Sequence, residues 1–189
     1  MTRQTPAKRT DALRNRDRIL RAARDAIADA DAEVSMAEIV RRSGVGSATL
    51  YRNFASRREL LEALLVEEVE EVCAAASTVA GDTAEARLAA WLRRFYQYVT
   101  SKRPIAVELL EHVDRTDPVF GTSRDRVVAA AEPLLAAAQQ AGEVTATISL
   151  DQILDLVVAI AKVPGDQSYR EPMLEAALGG LHRVTPAGR

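Results

Sequence analysis

The stretch SGVGSATLYRNF, residues 43–54, constrains the fold more than any other part of the chain. Just before it, the run Ser35-Met-Ala-Glu38 predicts a helix start, because the Ser hydroxyl can accept a free backbone N–H and the Glu can reach back to the cap. Gly44 allows the positive φ of a helix C-cap and ends this helix early. A second short helix is predicted from Ser47 to Asn53. Two short helices joined by a tight glycine turn are typical of a helix-turn-helix.

The second of these helices has an apolar side and a polar side. Leu50 and Phe54 lie four residues apart and can both face a core. The positions left to point outward are Ser47, Ala48, Thr49, Tyr51, Arg52 and Asn53. Short side chains at the start of such a helix allow close approach to DNA. The residues alone also leave open an ordinary helical hairpin with a glycine corner.

Helical periodicity continues along the rest of the chain. Apolar residues make up 48% of the sequence but aromatics only 4%, and stretches rich in Ala, Glu, Arg and Leu favour helix over strand. Further helices are predicted at about residues 11–30, 56–76, 84–101, 105–113, 122–141, 153–162 and 172–184, with a new start at Pro104 and a bend or split near Pro133. The expected fold class is all-α. We expect a disordered arm over residues 1–10, a three-helix helix-turn-helix domain over residues 11–60 and a helical bundle over residues 61–189.

Charge is distributed unevenly between the two ends of the chain. Residues 1–60 contain 13 Lys and Arg against 8 Asp and Glu, whereas the remaining residues contain 12 against 19. A basic N-terminal third favours an anionic partner such as nucleic acid, although the balance is modest. No apolar run approaches the roughly 20 residues of a membrane span, and the N-terminus lacks the apolar segment of a signal peptide. We therefore expect a cytoplasmic protein with no membrane partner.

Other candidate chemistry finds little support in the sequence. The turn Gly44-Val-Gly46 lacks the preceding strand and the third glycine of a phosphate-binding loop. The acidic residues around His112 lack the paired Glu-x-x-His motifs of a di-iron bundle. The single cysteine, Cys73, is predicted to be a small buried residue, with redox sensing as the alternative. We expect no cofactor, no metal and no catalysis.

The glycine turn and the residues on both sides of it follow one longer sequence pattern. Ile39, Ser43-Gly44-Val45, Leu50-Tyr51, Phe54, Arg57 and Leu60 stand in one register between Ser35 and Leu61. This segment closely resembles the DNA-binding domain of TetR-family transcriptional repressors. The resemblance implies a sequence-specific regulator that binds double-stranded DNA. We expect a homodimeric repressor that binds a pseudo-palindromic operator and releases it when a small apolar effector enters the C-terminal bundle.

The resemblance also assigns roles to individual positions. Phosphate contacts are implied for Ser35, Thr49, Tyr51, Asn53 and Arg57, and base contacts for Ser47, Ala48 and Arg52. Among the base-contacting positions, Arg52 carries the side chain able to make a bidentate contact with guanine. Three positions depart from the family pattern: Gly46 replaces a capping Ser, Ala48 replaces a frequent Gly, and Asn53 replaces a His.

The C-terminal bundle is expected to hold the effector and the dimer interface. Effector contacts are assigned to Trp91, Phe95, Tyr98, Glu108 and His112, with plain core packing as the alternative for the aromatic residues. The last two helices are predicted to pair with a second copy through Ile153, Leu156, Val157, Ile160, Leu174, Leu178 and Leu181, because residues 153–162 are apolar on nearly every face. One rival interpretation is a small helical enzyme or carrier of an apolar ligand. A nearer rival is a regulator that responds to no ligand.

Overall fold

The computed structural model describes residues 6–29, 34–109 and 118–182. Within these residues the chain forms eight helices and no strand, which confirms the all-α prediction. They are α1 (Pro6–Asp29), α2 (Met36–Ser43), α3 (Ser47–Asn53), α4 (Arg57–Ala75), α5 (Ala84–Leu109), α6 (Pro118–Gln140), α7 (Leu150–Lys162) and α8 (Gln167–Gly179). Among the described helices, none combines the length and the apolar character that crossing a membrane requires.

Helix boundaries differ from the sequence prediction mainly at prolines. Helix α1 begins at Pro6, inside the segment predicted as an arm, since proline is well suited to the first position of a helix. Helix α5 continues through Pro104, and α6 through Pro133, because a long helix can lose one backbone hydrogen bond and keep the turns on either side. Helix α8 begins five residues before Pro172, where Asp166 caps it by accepting from the backbone N–H of Tyr169 at 2.9 Å.

The chain divides into two compact units. The first comprises residues 1–67 and 103–117, and the second comprises residues 68–102 and 118–189. Helices α4 and α5 therefore contribute residues to both units. In the first unit, α1, α2 and α3 pack on a core that includes Ile19, Ala23, Ile39, Leu50, Phe54 and Leu64, each fully enclosed. The burial of Leu50 and Phe54 confirms that this face of α3 points inward.

The second unit has its own apolar core, built from the end of α4, from α5 and from α6 to α8. Trp91 lies at its centre, fully buried, with its indole N–H donating to the carbonyl of Val72 at 3.0 Å. A capping box opens α7: Ser149 accepts from the backbone N–H of Gln152, and the Gln152 side chain accepts from the backbone N–H of Ser149. This reciprocal pair fixes where α7 begins.

Candidate nucleic-acid interface

Helix α2 begins and ends as the sequence predicts. The hydroxyl of Ser35 accepts from the backbone N–H of Glu38 at 3.2 Å. At the other end Gly44 adopts φ 63°, and its N–H donates to the carbonyl of Val40. The hydroxyl hydrogen of Ser35 stays available, so the residue can cap the helix and still donate to an outside acceptor.

The side chain of Glu38 departs from the predicted capping box. Instead of reaching back to the cap, its carboxylate accepts from Arg41 at 2.6 and 2.8 Å and from Arg42 at 2.8 Å. Two guanidinium groups three and four residues along the helix are stronger donors than one neutral amide. Hydrogen bonds from Arg41 and Arg42 lower the pKa of Glu38 to about 2, so the carboxylate stays ionised even in mildly acidic solution.

The glycine turn is held by a residue that the sequence analysis missed. Arg18 of α1 donates from Nη2 to the carbonyl of Ser43 at 2.9 Å, where the last carbonyls of α2 need partners. A Cβ on Gly44 would lie 3.0 Å from the same nitrogen. Nearby, the guanidinium of Arg16 lies 4.5 Å from the ring centroid of Phe54. No local signal could identify either arginine, because both act across helices far apart in sequence.

Helix α3 presents its outward face to solvent. Its N-cap is Gly46, which provides no side-chain hydrogen bond. Of the residues assigned to bases, Ser47, Ala48 and Arg52 are all exposed. Of those assigned to phosphates, Tyr51 is 53% exposed, and Thr49 and Asn53 are half-buried. Four of the six predicted α3 positions, Ser47, Ala48, Tyr51 and Arg52, are therefore accessible, and Thr49 and Asn53 lie between them and the buried Leu50.

Several of these side chains are hydrogen-bonded to α3 itself. Arg52 donates from Nε to the carbonyl of Ala48 and from Nη2 to the hydroxyl of Thr49, each at 3.1 Å. Asn53 donates from Nδ2 to the carbonyl of Thr49 at 2.8 Å. Hydrogen bonds within α3 consequently orient the side chains of Arg52 and Asn53.

Arg57 takes up a different position from the one its predicted role suggests. Its guanidinium is half-buried and donates from Nη1 to the carbonyl of Val34, just ahead of the α2 cap. It thus ties the start of α4 to the segment that leads into α2. A phosphate contact by Arg57 stays a prediction. The bond to Val34 gives Arg57 a structural role as well.

The residues predicted to contact an effector are only partly brought together. Trp91 and Phe95 are buried and stack with centroids 5.6 Å apart, and half-buried Tyr98 follows at 5.9 Å from Phe95. Trp91 therefore fills the core of the second unit instead of lining an open space. The side chain of Glu108 and the whole of His112 lie outside the described residues.

An open groove of about 470 Å³ lies on another side of α5, between α5 and α8. Its lining includes Tyr96 and Gln97 of α5 and Ser168 of α8. Arg93 and Glu175 join across it through two hydrogen bonds of 2.8 and 2.6 Å. The groove is open to solvent, its lining surface is mostly apolar, and it shares none of the five residues that were assigned to the effector.

Six of the seven residues assigned to the dimer interface lie inside the single chain. Ile153, Val157, Ile160, Leu174, Leu178 and Leu181 are each at most 6% exposed, so they have almost no surface left to bury against a second copy. They belong to the core of the second unit, in one cluster with apolar residues of α5 and α6. Leu156 is the exception, at 41% exposed.

The paired short helices, the left-handed glycine turn and the accessible polar face of α3 together define a helix-turn-helix DNA-binding protein. Comparison with known families agrees: the family described as bacterial regulatory proteins, tetR family, matches residues 19–64, and the C-terminal domain of SbtR-like transcriptional regulators matches residues 82–183. The chain belongs to the TetR family of transcriptional regulators.

Solved structures extend the similarity over nearly the whole chain. A TetR transcriptional regulator from Streptomyces coelicolor is 33% identical, with 88% of this chain and 98% of that chain covered at a TM-score of 0.73. A TetR regulatory protein from Mycobacterium vanbaalenii is 28% identical, with 92% and 98% covered at a TM-score of 0.74. GusR from Salmonella enterica, 23% identical, shares the fold, with 90% and 96% covered at a TM-score of 0.65. A comparison with curated proteins found no significant match.

Proposed function

We propose that the protein is a homodimeric repressor whose two α3 helices read a pseudo-palindromic operator. The observation that carries this proposal is the division of α3 into a buried face at Leu50 and an accessible face with Ser47, Ala48 and Arg52. In such a division the inward side fixes the helix on the domain, and the outward side is free to meet base edges in the major groove. We infer that Arg52 reads a guanine and that Ser35, Thr49 and Tyr51 contact phosphates.

The test begins with selection of bound sequences from random DNA, which yields the operator. The logarithm of the binding constant for it should fall linearly with the logarithm of the salt concentration, with a slope of about −0.9 for each neutralised phosphate. Arg52→Ala should lose discrimination at one symmetric base pair per half-site, about 5- to 150-fold for each contact. Tyr51→Phe removes only a hydroxyl from an exposed ring and should weaken all sequences about equally. Equal, sequence-independent losses for both variants would refute this assignment of roles.

We propose that the dimer interface lies on the outer faces of α7 and α8. Leu156 and Met173 are 41% and 40% exposed, Ala159 and Ala176 are small exposed residues on the same two helices, and exposed Gly180 follows directly after α8. Small residues let helices approach closely, and two helices from each copy would form a four-helix bundle. This surface replaces the buried residues that the sequence pattern suggested.

The proposed effector site lies in the second unit, where polar groups interrupt an apolar core. Glu68 and Ser123 are 5% and 9% exposed, and Tyr98 is half-buried near Glu68. An apolar interior with a few polar groups suits a small, predominantly apolar effector that these groups orient. Helix α4 contributes residues to both units, and we infer that it carries the effect of the ligand to the DNA-binding unit.

Trp91 offers a direct measurement of effector binding. Small apolar compounds that raise the melting temperature should be titrated while Trp91 fluorescence and operator affinity are followed together. Binding should weaken operator affinity by about 5- to 150-fold, the usual range for coupling between two sites. A compound that changes the fluorescence but leaves operator affinity unchanged would exclude ligand release by that compound, and failure of every compound would favour a regulator that responds to no ligand.

A further inference from the structure

Arg52 is held in one conformation by its own helix. Its Nε donates to the carbonyl of Ala48, and its Nη2 donates to the hydroxyl of Thr49, both at 3.1 Å. These two nitrogens form one edge of the planar guanidinium. The side chain is nevertheless exposed, so the bonds orient it without burying it.

The end of the same guanidinium, formed by Nη1 and Nη2, is left for a ligand. Arg52 has five N–H donors, of which the bonds to Ala48 and Thr49 use two. The hydrogens of Nη1 and the second hydrogen of Nη2 lie along the end of the side chain. Two of them have the parallel arrangement that matches the O6 and N7 acceptors of guanine. Arg52 can therefore keep both bonds to α3 while it makes a bidentate contact with a base.

Thr49 is suited to the task of fixing this orientation. Its side chain is half-buried and branched at Cβ, which limits it to two favoured χ1 rotamers in a helix, and in the observed rotamer the hydroxyl oxygen faces Arg52. While that oxygen accepts from Arg52, the hydroxyl hydrogen remains able to donate to a phosphate. One hydroxyl thus connects the position of the DNA backbone with the direction of the base-reading side chain.

We propose that Thr49 is a positioning residue that sets the base discrimination of Arg52, in addition to any phosphate contact of its own. The inference rests on the proposed reading of a base by Arg52. A free arginine must give up rotamer freedom on binding, which weakens the gain from its base contact. If Arg52 is already fixed before binding, part of this entropic cost is avoided. The saving applies only to a base that Arg52 can contact in its fixed orientation.

The test uses Thr49→Val, which keeps the shape of the side chain but has no hydroxyl, and Thr49→Ser, which keeps the hydroxyl. Affinities are measured for the selected operator and for variants with each base pair changed in turn. Thr49→Val should lower discrimination at the Arg52 base pair by about threefold to tenfold, as expected for one hydrogen bond, and leave the ratios at other positions unchanged. Thr49→Ser should restore most of the discrimination. Thermal melting monitored by circular dichroism checks that each variant is folded.

A double-mutant comparison distinguishes the positioning role of Thr49 from the base-reading role of Arg52, on which it depends. In an Arg52→Ala background, Thr49→Val should cause no further loss of discrimination, because there is no side chain left to position. If Thr49→Val weakens all sequences equally and preserves every ratio, Thr49 is only a phosphate contact and the positioning role is wrong. If Arg52→Ala itself leaves all ratios unchanged, the base-reading role fails and the positioning role fails with it.

Discussion

Arg18 Nη2 lies 2.9 Å from the carbonyl oxygen of Ser43, so a side chain of α1 closes the C-terminal end of α2. A cation suits that end of a helix, where the carbonyl groups carry a partial negative charge. The same guanidinium lies where a Cβ on Gly44 would have to fit. The turn between α2 and α3 is therefore held by α1 as well as by its own glycine.

Arg18→Ala should destabilise the first unit by about 1 kcal/mol, the usual contribution of one partly exposed hydrogen bond. Urea denaturation followed by circular dichroism measures the change. Arg21→Ala is the matched control, since Arg21 is an exposed arginine on the same helix. If both variants changed the free energy of unfolding equally, the bond from Arg18 to Ser43 would have no special part in the stability of the turn.

The two glycines of the turn should respond in opposite directions to substitution. Gly44 has φ 63°, so Gly44→Ala places a side chain in the left-handed region and against Arg18, at a cost of about 1–2 kcal/mol. Gly46 has φ −68° and no atom within 4 Å of a Cβ, so Gly46→Ser can supply the missing cap of α3 and stabilise by a few tenths of a kcal/mol. Melting temperatures of the two variants provide the check, and a stabilising Gly44→Ala would contradict the strain argument.

The local features of the DNA-binding unit were predictable from sequence. The cap at Ser35, the glycine C-cap at Gly44 and the inward face of Leu50 depend on residues within one or two helical turns. Glu38 was placed wrongly because two arginines competed with the cap for its carboxylate. Arg18 was missed because its partner lies 25 residues away, beyond any local pattern.

The second unit was harder to interpret for a related reason. Residues 153–162 are apolar on nearly every face, and that pattern does not tell which face meets the core of the chain and which meets a partner. The structure places Ile153 and Val157 inward and Leu156 outward. The aromatic residues gave the same ambiguity, since Trp91 and Phe95 have the spacing of either a pocket or a core. Only packing against α4 and α6 to α8 distinguishes these cases.

Tyr98 should make the stability of the second unit sensitive to high pH. Burial, reinforced by the negative charge of Glu68, raises its pKa from 10.0 to about 12. The folded state therefore binds this proton more tightly than the unfolded state does. The stabilisation is complete below pH 10 and is lost as the pH rises through about 12.

Tyr98→Phe removes the ionisable hydroxyl, so unfolding free energy should decline less steeply in this variant between pH 10 and pH 12. The exposed Tyr169 provides the control variant, Tyr169→Phe, which should follow the unmodified protein. Urea titrations at several pH values measure the slopes. A Tyr98→Phe protein whose stability declined as steeply as that of the unmodified protein would show that another group controls the alkaline transition.

In the proposed homodimer, Leu156→Glu should prevent association and leave a monomer. Leu156 is 41% exposed at the proposed face of α7, so a carboxylate there would be buried without a partner when two copies associate, whereas it would meet water in the single chain. Light scattering coupled to size-exclusion chromatography measures the mass. Operator binding should weaken in the monomeric variant, because each half-site is then bound by a separate monomer. Val66→Glu is the control, since Val66 is 37% exposed on a different helix, α4. A Leu156→Glu protein that stayed dimeric, or a Val66→Glu protein that became monomeric, would place the interface elsewhere.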